Sequence, residues 1–166
     1  FFTGSYKTAQ HLHSICSKNL ISTTFELGGK SPLIIDKDSN LKIAAKRVCL
    51  GKFINCGQTC IAPDYLFVHK EVKEEFINLL KENIISFFGT EAYKSENYGR
   101  IINQRQFLRL KNLLSQGEII FGGKHDERNN YISPTLIKPY ELNNSLMQDE
   151  IFGPILPILE FENIEN

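Results

Sequence analysis

Apolar residues recur along this chain in two alternating rhythms, and the alternation predicts the fold class. Leu41, Ala44, Ala45, Val48 and Cys49 fall at helical spacing and predict a helix that runs toward Phe53 and breaks near Gly57. Residues 72–88 predict a longer amphipathic helix, with Phe76, Leu80, Ile84 and Phe87 along one face and Gly89 ending it. A third helix is expected over 102–114, with Phe107, Leu110 and Leu114 inward. A shorter one over 7–18 is opened by the capping pair Gly4-Ser5. Between them lie short apolar runs at 21–27, 32–36, 65–68, 118–121, 131–137 and 155–161, which read as strands. Strands separated by helices predict an α/β architecture with a largely parallel sheet. No internal repeat or low-complexity segment interrupts the pattern, and the long polar loops are 90–97 and 124–130.

Composition narrows the function classes. At 166 residues the chain can hold one domain with a substantial core, or parts of two. Lysine plus arginine equals aspartate plus glutamate, 19 each, so no electrostatic argument points to nucleic acid or an anionic membrane. No apolar run approaches the roughly 18 residues that a membrane helix needs. The chain opens at Phe1-Phe2-Thr3-Gly4-Ser5 and stops at Glu162-Asn163-Ile164-Glu165-Asn166 without a signal that closes an element. We expect a segment of a longer polypeptide. Four cysteines (Cys16, Cys49, Cys56, Cys60) are expected to be reduced thiols, because a chain of this size folds without staples. Zinc is disfavoured: no second close Cys/His pair joins Cys56 and Cys60, and His11, His13, His69 and His125 are scattered.

Chemistry concentrates in three stretches. The first is Phe25-Glu26-Leu27-Gly28-Gly29-Lys30-Ser31-Pro32, where a lone carboxylate ends an apolar strand beside two glycines. A carboxylate facing a cleft there would gain pKa through partial desolvation and could serve as a general base. The second is Asn55-Cys56-Gly57-Gln58-Thr59-Cys60-Ile61-Ala62-Pro63, a cysteine in a small-residue loop. An ordinary thiol is only a few per cent ionised at neutral pH, so a nucleophilic Cys60 needs backbone dipoles near it. Cys16, Cys49 and Cys56 read as packing thiols. The third is Gln148-Asp149-Glu150-Ile151-Phe152-Gly153-Pro154, where Glu150 could accept from a ribose diol and Phe152 could press on a flat ring. Alternatively, these are a surface glutamate and a core phenylalanine. Lys52 is a lesser candidate, either near Glu26 or solvated on its helix. Gly29-Lys30-Ser31 is not a P-loop, since Thr24 stands where the leading glycine belongs, and no Gly-x-Gly-x-x-Gly occurs.

These ordered motifs, together with Asp64-Tyr65 and Tyr98-Gly99-Arg100-Ile101-Ile102-Asn103, resemble the aldehyde dehydrogenase superfamily. The resemblance is to its class 3 branch, which includes the fatty aldehyde dehydrogenases, and it extends over the whole chain. It implies a three-layer α/β/α catalytic domain over 28–166, incomplete at its end, preceded at 1–27 by the tail of a Rossmann-type cofactor domain. It further implies Cys60 as nucleophile and Glu26 as the base that activates water. NAD or NADP would be held by Gly4, Ser5, Leu27, Gly28, Glu150 and Phe152. An aliphatic or aromatic aldehyde is the implied substrate and a homodimer the implied assembly, located in the cytoplasm or on a membrane through an anchor outside this segment. Two alternatives stay open: a CoA-acylating dehydrogenase, which the retained Glu26 disfavours, and a catalytically silent assembly module, which need not keep Glu26, Cys60 and Glu150 together.

Overall fold

Short polar side chains start most of the helices. Ser5 accepts from the Thr8 N–H at the start of α1 (Tyr6–Ser17), and Asn40 accepts from Ile43 at α2 (Leu41–Phe53). Helix α3 (Lys73–Phe88) lacks such a cap but opens with Glu74 and Glu75, which suit the positive end of its dipole, and Gly89 stops it at φ +77°. Asn103 and Asn144 cap α4 (Gln104–Leu113) and α5 (Ser145–Gln148). This computed structural model describes residues 1–164. Glu165 and Asn166, part of the open end expected from the sequence, lie outside the described residues.

The strands are β1 (Phe2–Gly4), β2 (Phe25–Leu27), β3 (Pro32–Ile35), β4 (Tyr65–His69), β5 (Gly117–Phe121), β6 (His125–Asp126), β7 (Tyr131–Ile132), β8 (Thr135–Pro139) and β9 (Ile155–Phe161). Five of them form one sheet in the order β3-β4-β9-β8-β5. Its β3/β4, β4/β9 and β9/β8 pairs are parallel, and only β5 runs against its neighbour, so the expected α/β class with a mostly parallel sheet is what the chain adopts. Strands β1 and β2 form a separate parallel pair joined through α1, and β6/β7 is a small antiparallel pair. Helices α2 and α3 pack on each other, with the Cys49 thiol donating to the Leu80 carbonyl at 3.5 Å. Their inward residues share one core with Leu66 and Val68 of β4.

Several expectations need correction. The strand expected over 21–27 shrinks to Phe25–Leu27, because the Ile21 N–H is used to close a turn onto Cys16 and Leu20 takes φ +54°. Strand β1 was not foreseen; its three residues become a strand only by pairing in register with β2. The run 131–137 divides at Ser133-Pro134, where proline has no N–H for a ladder and Ser133 donates instead to Lys124. On α3, Phe88 rather than Phe87 completes the buried stripe.

Lys52 is the largest correction. It is not solvated on its helix; it is 1% exposed, within the last turn of α2, and the charges that act on it are Asp64, Lys30 and Glu150. Burial pushes its ammonium down from 10.5 to about 8; Lys30 adds to that effect, and Asp64 and Glu150 oppose it. The folded chain therefore releases this proton earlier than the unfolded chain does. Stability gained through Lys52 rises with pH between about 8 and 10.5, while below 8 the buried charge costs about 3 kcal/mol. We expect K52M in the full-length protein to unfold at higher denaturant concentration than wild type at pH 7, with the advantage disappearing by about pH 10.5. Comparing the two proteins at each pH removes the opposite trend from Cys49 and Cys56, whose raised pKa values lower stability as pH rises.

Candidate functional site

The three chemistry-bearing stretches meet because of sheet topology. Each is the loop that enters a parallel strand: Gly28–Ser31 enters β3, Gln58–Asp64 enters β4, and Asp149–Pro154 enters β9. Since β3, β4 and β9 are adjacent and parallel, their entering loops gather at one end of the sheet.

Two contacts lock the loops together. A Cβ added to Gly28 would lie 1.8 Å from Glu150 Oε2, so the glutamate carboxylate occupies the space that any side chain at residue 28 would need. The Gly29 N–H donates to that carboxylate, and burial holds the carboxyl above its usual range despite this bond. On the other side, a Cβ on Gly57 would lie 2.3 Å from the Gly153 carbonyl oxygen, and Gly57 itself has φ +71°. Residue 57 must therefore be glycine on two independent grounds.

The loop carrying Cys60 leaves α2 through three consecutive left-handed residues, Asn55 (φ +51°), Cys56 (φ +57°) and Gly57. Such backbone is strained for cysteine and persists where the surroundings fix it. Here Asn55 Nδ2 donates to the Gln58 carbonyl at 3.0 Å, and Gln58 Nε2 donates to the Asn55 and Arg100 carbonyls. Gln58 Oε1 accepts from the Ile102 N–H at 2.9 Å. Cys56 is fully buried beneath Gly99, whereas Cys60 is exposed. Burial drives the Cys56 thiol up to about 11 and the Cys49 thiol up to about 12, so neither ionises at neutral pH. Cys16 is half-buried.

Glu26 sits at the centre of β2, paired with Thr3, and its side chain is exposed. Gly4 pairs with Leu27, and Ser5 spends its side chain on the α1 cap and on Thr8 Oγ1 at 3.0 Å. Phe152 is 40% exposed at φ +48°, not the core phenylalanine of the alternative reading.

The sequence reading gave no role to three residues that organise this end of the sheet: Lys30, Asp64 and Arg109. Lys30 forms an ion pair with Asp64 and donates to the Asp149 carbonyl at 3.0 Å. Asp64 Oδ1 accepts from the Ile151 N–H at 2.8 Å, and Arg109 donates to the Glu150 and Ile151 carbonyls. A signal did exist for Asp64: it is a lone charge at the mouth of the apolar run 65–68. Among the described residues no group of three His, Cys, Asp or Glu side chains is gathered as for a metal, and no helix is long and apolar enough to cross a membrane.

The chain is similar to known proteins over its whole length. The chain matches the aldehyde dehydrogenase family over residues 1–166. It is 45% identical to 4,4'-diaponeurosporen-aldehyde dehydrogenase of Staphylococcus aureus, over 99% of this chain and 36% of the relative. It is 43% identical to aldehyde dehydrogenase family 3 member A2 of Rattus norvegicus, over 99% and 34%. It is 40% identical to the aldehyde dehydrogenase of the same species named dimeric and NADP-preferring, over 99% and 36%. Among solved structures, the substrate-bound state of Staphylococcus aureus AldH superposes with a TM-score of 0.95 at 44% identity, covering 99% of this chain and 36% of that one. An indole-3-acetaldehyde dehydrogenase in complex with NAD+ gives 0.87 at 27% identity, covering 99% and 35%. The chain thus spans about a third of the length of the relatives it matches.

Brief alkylation of the full-length protein with iodoacetamide at pH 7 should modify Cys60 first and leave Cys49 and Cys56 unmodified until unfolding, as read by peptide mass mapping. Gly57→Ala should destabilise the protein by about 2–4 kcal/mol, since it adds both a strained φ and a clash with the Gly153 carbonyl. A denaturant titration of the two proteins measures it.

Proposed function

Because the chain belongs to the aldehyde dehydrogenase family over its whole length, we propose that the protein containing it oxidises aldehydes to carboxylic acids with NAD or NADP. The observation that carries this reading is the meeting of Glu150, the Gly28-Gly29 backbone and the Cys60 loop at one end of the sheet. The exposed thiol of Cys60 stands in contrast to its buried neighbour Cys56, as a nucleophile and a packing residue should.

The residues present fit the cofactor's reactive half. Glu150 is a carboxylate held in place by a backbone N–H with acceptor capacity left for a ribose diol, and Phe152 offers an exposed ring beside it. Gly4 and Ser5 lead into the 12-residue helix α1, whose first N–H groups suit a phosphate. Leu27 follows Glu26 on β2 and Gly28 lies against the Glu150 carboxylate, and the two complete the holding set. Residues 1–27 are assigned to the end of the cofactor domain and 28–166 to the catalytic domain; the break between the β1/β2 pair and the larger sheet supports that division. Bound NAD or NADP supplies the two-electron acceptor for hydride.

In this reading the Cys60 thiolate adds to the aldehyde carbon, forming a C–S bond and placing negative charge on the carbonyl oxygen. The Cys60 N–H donates to that oxygen, where preorganised donors contribute most to rate. Loss of hydride from the same carbon leaves a thioester on Cys60. Glu26 then takes a proton from water, the hydroxide attacks the thioester carbon, and the C–S bond breaks to return the thiolate and release the acid. The exposed apolar side chains Ile54, Ile61 and Ile102 on and against the Cys60 loop favour an apolar aldehyde, aliphatic or aromatic. The relative named as dimeric supports a homodimeric assembly.

The full-length protein should reduce NAD or NADP only when an aldehyde is present. Cys60→Ala should abolish that signal. Glu26→Gln should leave a first-turnover burst of reduced cofactor and slow the steady state by about 10²–10⁴-fold. Unchanged turnover in Cys60→Ala, or an unchanged steady state in Glu26→Gln, would overturn the respective assignment.

A further inference from the structure

The segment that presents Glu150 has no ladder of its own. Residues 149–154 belong to neither helix nor strand, yet their backbone groups are taken up one after another by side chains from elsewhere. Lys30 Nζ donates to the Leu146 carbonyl at 3.3 Å and to the Asp149 carbonyl at 3.0 Å. Arg109, itself oriented by Gln106 Oε1 at 2.7 Å, donates to the Glu150 and Ile151 carbonyls. Asp64 Oδ1 accepts the Ile151 N–H, and its other oxygen takes Lys30.

The Lys30–Asp64 pair is costly on its own terms, since Asp64 is only 2% exposed and burying a carboxylate loses most of its hydration. A buried pair is weak evidence of stability and needs another reason to be where it is. Its placement supplies one. Lys30 directly follows the two glycines on which the Glu150 carboxylate sits, and Asp64 closes the loop that begins at Cys60. The Asp64 N–H also donates to the Ser31 carbonyl at 2.8 Å, so the pair ties all three loops at their strand entries.

We propose that Lys30 and Asp64 are positioning residues: through the backbone of 149–151 they set the place of the Glu150 carboxylate, and through it the grip on the nicotinamide-side ribose. The proposal rests on the reading of Glu150 as a ribose ligand. Neither residue needs to touch cofactor or substrate. Loss of the ion pair frees the segment at Asp149 and weakens it at Ile151, and displacement of a positioned group by about 1 Å is enough to cost a large factor in rate.

The test is a double-variant cycle in the full-length protein with saturating hexanal and varied NAD or NADP. Glu150→Gln should raise the cofactor KM by about tenfold or more, and Lys30→Met by a similar factor. The double variant should be no worse than Glu150→Gln alone, because Lys30 acts only through Glu150. The rate of Cys60 alkylation by iodoacetamide should stay within about twofold throughout, which a general loosening of the site would not allow. Asp64→Asn, isosteric and still able to accept the Ile151 N–H but without the charge that holds Lys30, carries the same comparison if Lys30→Met yields no folded protein, with a smaller rise in KM expected. A cofactor KM unchanged in both Lys30→Met and Asp64→Asn overturns the proposal while leaving Glu150 as a ligand. So does an effect that multiplies with that of Glu150→Gln. An unchanged KM in Glu150→Gln itself removes the underlying reading, and the proposal with it.

Discussion

Helix α2 is stopped by backbone rather than by a cap, and the site depends on how it stops. Asn55, Cys56 and Gly57 take left-handed conformations in succession, a run that costs roughly 1–2 kcal/mol at a residue such as Cys56. The surroundings hold it there: the Gln58 side chain bonds back to Asn55 and across to Arg100 and Ile102, while Cys56 is sealed under Gly99. The reversal places Gly57 against the Gly153 carbonyl. That close approach joins the loop of Cys60 to the segment of Glu150 at one point, and the bond from the Ile151 N–H to Asp64 joins them at another.

The second constraint is electrostatic. Lys30, Lys52, Asp64, Arg109 and Glu150 form one cluster of mixed sign, and most of its members lie largely out of water. Burial lowers the pKa of Lys52 and Arg109 and raises that of Glu150, so the protein works against its own charges here. What offsets the cost is the bonding of backbone groups that have no strand or helix to satisfy them. In the segment 149–151 charged side chains replace a missing ladder.

Much of this was legible in the sequence, and the misses share a cause. Parallel strands and long helices were read from local periodicity, which is a local property of the chain. The three motifs were read from residue types and from the family resemblance. Strand β1 and the split at Pro134 were missed because both depend on a partner or a lost N–H that periodicity does not report. Lys52 is more instructive. Ala45, Val48, Cys49 and Lys52 lie on one face at offsets of three, four and seven, so its burial followed from the same wheel that identified the core. A basic residue near a helix end is usually solvated, and that habit outweighed the geometry. The roles of Lys30, Asp64 and Arg109 were not legible, since they are bonds to main-chain atoms between 41 and 119 residues away.

The position of the candidate site in the sheet departs from the general pattern for open parallel sheets, where ligands bind outside the carboxyl ends of the strands. Here the gathered loops enter β3, β4 and β9, so the cluster lies at their amino ends. The reason is visible in the connections. Strand β2 delivers Gly28-Gly29 directly to β3, α2 delivers the Cys60 loop to β4, and α5 delivers Glu150 to β9. Each delivering element leads by a loop into its strand, and adjacency of the three strands does the rest. Because the outer two of those strands are separated by more than a hundred residues, it is the pairing of β4 with both β3 and β9 that brings their entering loops together. Sheet pairing therefore assembles the site, and the charged cluster at the strand entries fixes what that pairing brings together.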